Sequence, residues 1–301
     1  MKTKNRHFFS SILFYHIVAI VVVTIWGSTL VSTKILLNDG MRADEIFLVR
    51  FLIAYLAMVL FCRRQLFAGS LKDELMMLAL GVTGGSLYFI TENIAVGLTY
   101  VNNVSFIVST SPILTMFFIL MTYRYLKVKK ILVIGSILAL LGVGVVIFNG
   151  QVVLKLNPLG DLFSVAAALC FGVYCYLIKI VGDRYDVVFL TRKVFFYGVL
   201  TALPIFLFRP WTFPLESFRQ WPVVLNLLFL GVVASFACFV LWNLSISRLG
   251  AVSSSNYLYL IPVTTVIFSA IFLEEPMTAM AYAGSALILV GVYLANLGCR
   301  D

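Results

Sequence analysis

Long apolar runs separated by short polar breaks make up almost the whole chain. Ten such runs can be marked, at 12–36, 44–61, 75–98, 103–122, 129–148, 160–181, 187–208, 222–246, 252–273 and 277–297. About 20 mostly apolar residues cross hydrocarbon as a helix. The pattern therefore predicts an all-α integral membrane fold of ten transmembrane helices, α1 to α10 in that order. The runs are continuous and too long for barrel strands, which alternate over about ten residues. No break is long enough to form a soluble domain, so one membrane domain is expected.

The second half of the chain repeats the first. Asp44, Phe47, Leu48, Arg50 and Tyr55 recur as Asp186, Phe189, Leu190, Arg192 and Tyr197, at an offset of 142. Leu78 to Phe118 aligns without gaps on Leu228 to Phe268 at an offset of 150, matching Gly81 with Gly231, Asn93 with Asn243, Ser105 with Ser255 and Pro112 with Pro262. Trp26-Gly27 and Lys34-Ile35 fall on Phe171-Gly172 and Lys179-Ile180 at an offset of 145. Residues 1–150 and 151–301 thus read as two five-helix units. An odd-numbered unit copied in tandem enters the membrane from opposite sides. The expected architecture is two inverted five-helix repeats around a central cavity, as in secondary transporters.

Composition agrees with a bilayer as solvent: 62% of residues are hydrophobic, 12% are charged and mean hydropathy is +1.04. The net charge of +9 does not point to nucleic acid, because the basic residues cluster in short loops on one side. With the N-terminus inside, Lys2, Lys4, Arg6, Arg63, Arg64, Lys72, Arg124, Lys127, Lys129, Lys130, Lys179, Arg184, Arg248 and Arg300 are cytoplasmic. Those fourteen compare with five on the other side, namely Lys34, Arg42, Lys155, Arg209 and Arg219. The bias predicts both termini in the cytoplasm, and a multi-pass protein of the cell (inner) membrane. The basic start resembles a signal peptide, but the apolar run is too long and lacks a cleavage pattern. The cysteines at 62, 170, 175, 238 and 299 have no metal or redox spacing and read as small hydrophobes.

Polar residues inside hydrocarbon must face protein or a wet cavity, and here they are unevenly placed. Helices α5 and α10 are nearly pure aliphatic and glycine, with small-residue contacts at Gly135, Gly142, Gly144, Gly284 and Gly291. Helix α4 carries Asn102, Ser105, Ser109 and Pro112 on one face, and its copy α9 has Ser255, Asn256 and Tyr259 before Pro262. Each proline frees a carbonyl four residues back, at Val108 and Leu258. Paired interruptions at matching positions mark a transporter's binding site; a simple kink relieved by neighbouring hydroxyls is the alternative. Helix α3 lines up Tyr88 and Glu92 beside Asn93, and α8 carries Trp242 and Asn243. Glu92 is the acid deepest in an apolar stretch. It is a candidate for proton coupling with Lys34, or simply for a charge pair with that lysine. Arg50 and Arg192 lie two turns into α2 and α7 and read as a repeated structural device at the mouth, or as carboxylate binders. Trp26 and Tyr174 offer aromatic walls to a substrate, or packing.

The chain resembles the drug/metabolite transporter superfamily and, within it, the EamA-type ten-helix carriers. The likeness covers nearly all residues. It rests on Trp26-Gly-Ser-Thr, Phe47-Leu-Val-Arg-Phe51, Ser111-Pro112, Pro262-Val-Thr-Thr265 and the Gly284 to Gly291 pattern. The resemblance implies export of amino acids, related metabolites or toxic compounds. It also implies a cavity between α3, α4, α8 and α9, closed by α1 and α6.

The expected function is a secondary exporter of small amphipathic metabolites such as amino acids or drug-like compounds, working by alternating access. A lipid-linked carrier or flippase of the same fold is the alternative, and it would need a lateral opening and a basic headgroup site. An enzyme is not expected: the histidines, His7 and His16, lie at one end, and no paired acids, metal spacing or nucleotide motif is present. The expected partners are a small-molecule substrate and the lipid bilayer, without a cofactor.

Overall fold

A computed structural model describes residues 12–61, 66–123, 129–148, 157–182, 184–272 and 279–299. The basic residues at 2, 4, 6, 63, 64, 124, 127, 155 and 300 lie outside these, as do His7, Cys62 and Gln151. Every regular element among the described residues is helical. α1 is Ile12–Asn38, α2 is Ala43–Phe61 and α3 is Leu71–Leu98. α4 is broken into Val101–Val108 and Ser111–Thr122, and α5 is Lys130–Phe148. α6 is Pro158–Val181 and α7 is Val187–Phe208. α8 is Trp221–Leu249, α9 runs from Ala251 to Phe272, and α10 is Ala279–Gly298.

Seven of these, α1, α3, α4, α6, α7, α8 and α9, are long and apolar enough to cross a membrane. The apolar parts of α5 and α10, Lys130–Val145 and Tyr282–Gly298, are shorter. Helix α2 has 19 residues and carries Asp44, Glu45 and Arg50. The outward faces are apolar, with Leu56, Leu60, Phe117, Leu141, Leu289 and Tyr293 all exposed. A surface of that kind is stable in lipid, not in water.

Helix starts follow local chemistry. Ser70 accepts from the Asp73 N–H at 3.1 Å, Asn157 from Gly160 at 3.1 Å and Asp186 from Val188 at 2.9 Å. Each side-chain oxygen satisfies a first-turn donor that has no partner in the helix. Both prolines sit in the first turn of a helix half, where a missing N–H costs little. The carbonyls they free are satisfied again. The Ser111 hydroxyl donates to Val108 at 2.6 Å, and the Ile261 N–H donates to Leu258.

The breaks match between halves. Helix α3 kinks at Gly85 within a π-helical turn at Val82–Ser86, and α8 takes π-helical turns without a kink at Phe229–Ala237, which covers the positions 150 further on. Packing matches as well. Helix α1 packs on α8 and α9, and α6 packs on α3 and α4; α2 packs on α8, and α7 on α3; α5 packs on α10. Exchanging the halves leaves this scheme unchanged. The crossings use equivalent glycines. A Cβ at Gly27 would lie 1.8 Å from Thr264 Oγ1, and one at Gly172 would lie 2.9 Å from Leu114 Cβ. Thr264 and Leu114 are themselves equivalent at the 150 offset.

Two ends can be told apart. Lys34, late in α1, bonds the Val96 carbonyl late in α3, and Asn157 at the start of α6 bonds the Leu98 carbonyl. Helix α6 therefore begins where α1 ends. At this Arg42 end, Arg42 pairs with Asp44 at 2.6 Å and donates to the carbonyls of Arg209 and Pro210. Glu45 accepts from the Thr212 N–H at 2.6 Å. At the opposite, Arg184 end, Arg184 pairs with Asp73 at 2.6 Å, and Glu74 accepts from Lys193 and Tyr197. Arg42 and Arg184 are equivalent at the offset of 142. Each start of an α2-type helix thus grips the segment leading into the other half's α3-type helix.

The α5–α10 seam should tolerate no added side chain. A Cβ at Gly291 would lie 2.4 Å from the Ala139 nitrogen. Gly291→Val is expected to cost about 1–3 kcal/mol through overpacking, read as a lower melting temperature in detergent. The exposed Leu289→Val should leave it unchanged, and equal melting of both variants would contradict the close contact.

Candidate functional site

A small central cavity lies where α1, α2, α3, α4, α6, α8 and α9 converge. Its free volume is about 20 Å³, room for about one water. Its polar lining is Thr29, Arg50, Tyr88, Glu92 and Ser105, and its aromatic walls are Trp26, Phe89, Phe171 and Phe239. Val108 and Leu258, whose carbonyls the prolines free, line it from the two halves.

Arg50 reaches this cavity because α8 comes close to α2. Gly231 at the π turn of α8 leaves room for Ile53: a Cβ there would lie 2.7 Å from that side chain. The same turn presents Ser235, whose hydroxyl accepts from Arg50 Nε at 3.0 Å. The guanidinium carbon lies 4.2 Å from the centre of the Phe89 ring, a cation–π contact that favours a cation with little water around it. Among the described residues, Arg50 Nη2 is buried without a hydrogen-bond partner, and so is Ser105 Oγ. Buried polar atoms of this kind ordinarily find partners, so both remain open to a ligand. Glu92 accepts from the Tyr88 hydroxyl at 2.6 Å. Among the described residues it makes no ion pair, because Lys34 Nζ donates instead to the Val96 carbonyl at 2.9 Å.

Beside the cavity a second polar chain joins three helices. Tyr174 Oη donates to Asn243 Oδ1 at 2.6 Å, and Asn243 Nδ2 donates to Thr191 Oγ1 at 3.0 Å. Gly84 makes room for the Tyr174 ring, since a Cβ there would lie 2.2 Å from Tyr174 Cδ2. Trp26 Nε1 donates to the Ala234 carbonyl at 2.9 Å, and its ring packs 5.0 Å from Trp242.

Of the residues singled out from the sequence, the cavity gathers Trp26, Tyr88, Glu92 and Ser105. Trp242, Tyr174 and Asn243 form the layer behind it. The others lie elsewhere. Asn93 Nδ2 donates to the Ala43 carbonyl at 3.1 Å. Ser109 and Ser255 bond carbonyls of their own helices, Ser105 at 2.6 Å and Val252 at 3.0 Å. Asn256 faces Cys299 at 3.8 Å, and Tyr259 is buried in the turn of α9 that packs on α5 and α10. Pro112 and Pro262 sit one turn from the cavity-lining Val108 and Leu258. The side chain of Asn102 lies outside the described residues. The sequence left Arg50 as a device at the mouth or a carboxylate binder, with no sign of Phe89, Phe171 and Phe239 as cavity walls. Phenylalanines in an apolar helix carry no signal of the face they occupy, whereas Arg50's depth in α2 did.

The arrangement offers one fixed cation, one carboxyl group and two hydroxyls in an aromatic box. It can hold a charged or zwitterionic head against an apolar wall. No nucleophile with an adjacent base lines it.

Comparison with known proteins adds the family. The profile of the EamA-like transporter family matches residues 13–148 and again 158–297. An uncharacterized transporter of Archaeoglobus fulgidus is 28% identical over 288 residues, covering 92% of this chain and 97% of that one. The probable terminal-alkyne amino-acid exporter of Streptantibioticus cattleyicolor is 25% identical over 282 residues, with 92% and 91% covered. A crystal structure superposes with a TM-score of 0.71 at 19% identity, over 96% of this chain and 97% of that one. At that identity the likeness concerns the fold alone.

The Tyr174–Asn243–Thr191 chain gives a direct test of this geometry. Tyr174→Phe leaves the buried Asn243 oxygen without its donor. The expected cost is about 1–3 kcal/mol, seen as a drop in melting temperature. Tyr176→Phe, whose hydroxyl meets Thr122 in an exposed position, should melt like the parent. No difference between the two variants would contradict the hydrogen-bonded chain.

Proposed function

The chain belongs to the EamA-like transporter family, and from that premise we propose that it is a secondary carrier exporting small amphipathic metabolites by alternating access. The observation that carries the reading is the buried cavity in which Arg50 Nη2 and Ser105 Oγ have no partner among the described residues. Polar groups held without partners inside hydrocarbon are costly, and within membrane helices they mark substrate pathways. Amino acids and similar zwitterions suit the site: a carboxylate for Arg50, an ammonium for Glu92 and an aromatic box for the side chain. The exporter named for terminal-alkyne amino acids supports that substrate class.

Ten spanning helices in two inverted five-helix repeats, 1–150 and 151–301, complete the proposal. The double family match, the paired π turns and the start of α6 beside the end of α1 support it. In this reading α2, α5 and α10 also cross the bilayer, with both termini in the cytoplasm of a cell whose inner membrane holds the protein. The Arg42 end is then outer and the Arg184 end cytoplasmic. Glu92 is the candidate site of proton coupling, with Lys34 seated on the Val96 carbonyl, four residues further along α3. The lipid-carrier alternative has one observation in its favour. A groove of about 410 Å³ opens sideways between α1, α8 and α9, beside Thr24, Ser28 and Asn226. Its lining among the described residues is apolar apart from Thr24, Ser28, Ser32 and Asn226, and the charged central cavity favours the metabolite carrier.

Proteoliposome transport against a panel of amino acids and amphipathic compounds, with and without a pH gradient, tests the function. Saturable counterflow of at least one zwitterionic compound is expected. Arg50→Ala should reduce it by about tenfold or more, the effect of losing one buried charged contact. Glu92→Gln should remove the response to the pH gradient while exchange persists. Full proton-dependent transport in Glu92→Gln would make Glu92 structural. Reporter fusions at Arg300 and near Gln151 are expected on opposite sides of the membrane, and a shared side would sink the inverted arrangement.

A further inference from the structure

Equivalent residues at the two ends are arranged differently. By the repeat offsets, Lys34 corresponds to Lys179, Val96 to Ile246, Asn93 to Asn243 and Ala43 to Tyr185. At the Arg42 end Lys34 is folded inward onto the Val96 carbonyl at 2.9 Å, and Asn93 donates to the Ala43 carbonyl at 3.1 Å. These bonds pin α1 and α2 to the last part of α3. At the Arg184 end the equivalent residues are bonded differently. Lys179 is exposed and has no hydrogen-bond or ion-pair partner among the described residues. Together with Ile246 it lines a pocket of about 250 Å³, which also holds Asn243, Ser247 and Arg248. Asn243 bonds the side chains of Tyr174 and Thr191, not the Tyr185 backbone.

The Ile246 carbonyl is a suitable seat for that lysine. It lies in the last turn of α8, where helix carbonyls favour a cation. It already accepts from the Gly250 N–H at 2.9 Å, and a carbonyl oxygen has a second lone pair to offer. Both lysines sit at the same point of equivalent helices, and only one is docked.

We propose that Lys34 and Lys179 are paired locks that close opposite ends of the carrier in turn. In the present state Lys34 on the Val96 carbonyl holds the Arg42 end shut, and the pocket at Lys179 is the open vestibule of the Arg184 end. In the opposite state Lys34 is released. Lys179 then docks on the Ile246 carbonyl, and the vestibule closes. The inference rests on the inverted-repeat carrier reading and adds to it the two residues that hold each end. It concerns residues that position helices, not residues that touch substrate.

Cysteine labelling of the full-length protein in detergent, with its native cysteines replaced, tests the proposal without any substrate. Ser247→Cys reports the vestibule, and Thr33→Cys, at a position 2% exposed beside Lys34, reports the shut end. The probe is a small hydrophilic maleimide. Lys34→Met removes one lock, and a bond from a charged donor is worth about a tenfold shift in a two-state balance or more. Labelling at Ser247→Cys should therefore slow, and labelling at Thr33→Cys should speed up. Lys179→Met should leave Ser247→Cys reactive and Thr33→Cys protected. The double variant should move both rates back toward the parent, which shows that Lys34→Met still folds. Parental rates at both reporters in Lys34→Met, or faster labelling at both together, would overturn the lock. Failure of the transport panel would bear on the function alone, because these rates need no substrate.

Discussion

A backbone carbonyl or N–H in hydrocarbon has no water to turn to, so each departure from a regular helix must be satisfied within the protein. That constraint decides where this chain can afford irregular structure. The breaks at Pro112 and Pro262 survive because Ser111 and the Ile261 N–H satisfy the freed carbonyls. The π turns of α3 and α8 survive because they face α7 and α2, with Gly81 and Gly231 at the crossings. The two proline breaks reach the central cavity through Val108 and Leu258, and the π turn of α8 presents Ser235 to Arg50.

Around that volume the packing is symmetric, while the two ends are not. Helices α1 and α6 cross their partners at equivalent glycines, and α5 and α10 close the bundle along a seam of small residues. A scheme unchanged by exchanging the halves gives two arrangements of equal kind, one the mirror of the other in sequence. The structure holds one of them: Lys34 docked on the Val96 carbonyl, and Lys179 without a partner among the described residues. The centre has room for only about one water, and at the Arg184 end Ile178, Lys179, Ile246 and Arg248 line a pocket of about 250 Å³.

Much of the architecture was legible because a bilayer fixes the length of an apolar run. The run at 160–181 became Pro158–Val181, two residues longer at its start, and the run at 222–246 became Trp221–Leu249, one residue longer at its start and three at its end. The helix breaks announced themselves through proline. The π turns did not: Gly81 and Gly84 fall on the stripe of Tyr88 and Glu92, and nothing in a single sequence says that the helix will widen there. The stripe through Tyr88 and Glu92 was visible from spacing. Arg50 was visible as a deep charge, but its direction depended on Gly231 and Ser235 of the other half. The partners of Tyr174, Lys34 and Asn93 were beyond reach for the same reason, since each lies on a helix whose neighbours only the fold determines.

The central claim is that two copies of one unit, set in opposite directions, open at one end while closing at the other. Pulsed electron-spin distance measurement in lipid nanodiscs tests it most directly. One label pair, at Asn38 and Tyr100, spans α1 and the end of α3 at the Arg42 end. The other, at Gly182 and Ser247, spans α6 and α8 at the Arg184 end. The account predicts two populations at each end, with the short distance at one end matching the long distance at the other as conditions shift the balance. A single fixed distance at both ends, or ends that open and close together, would contradict it.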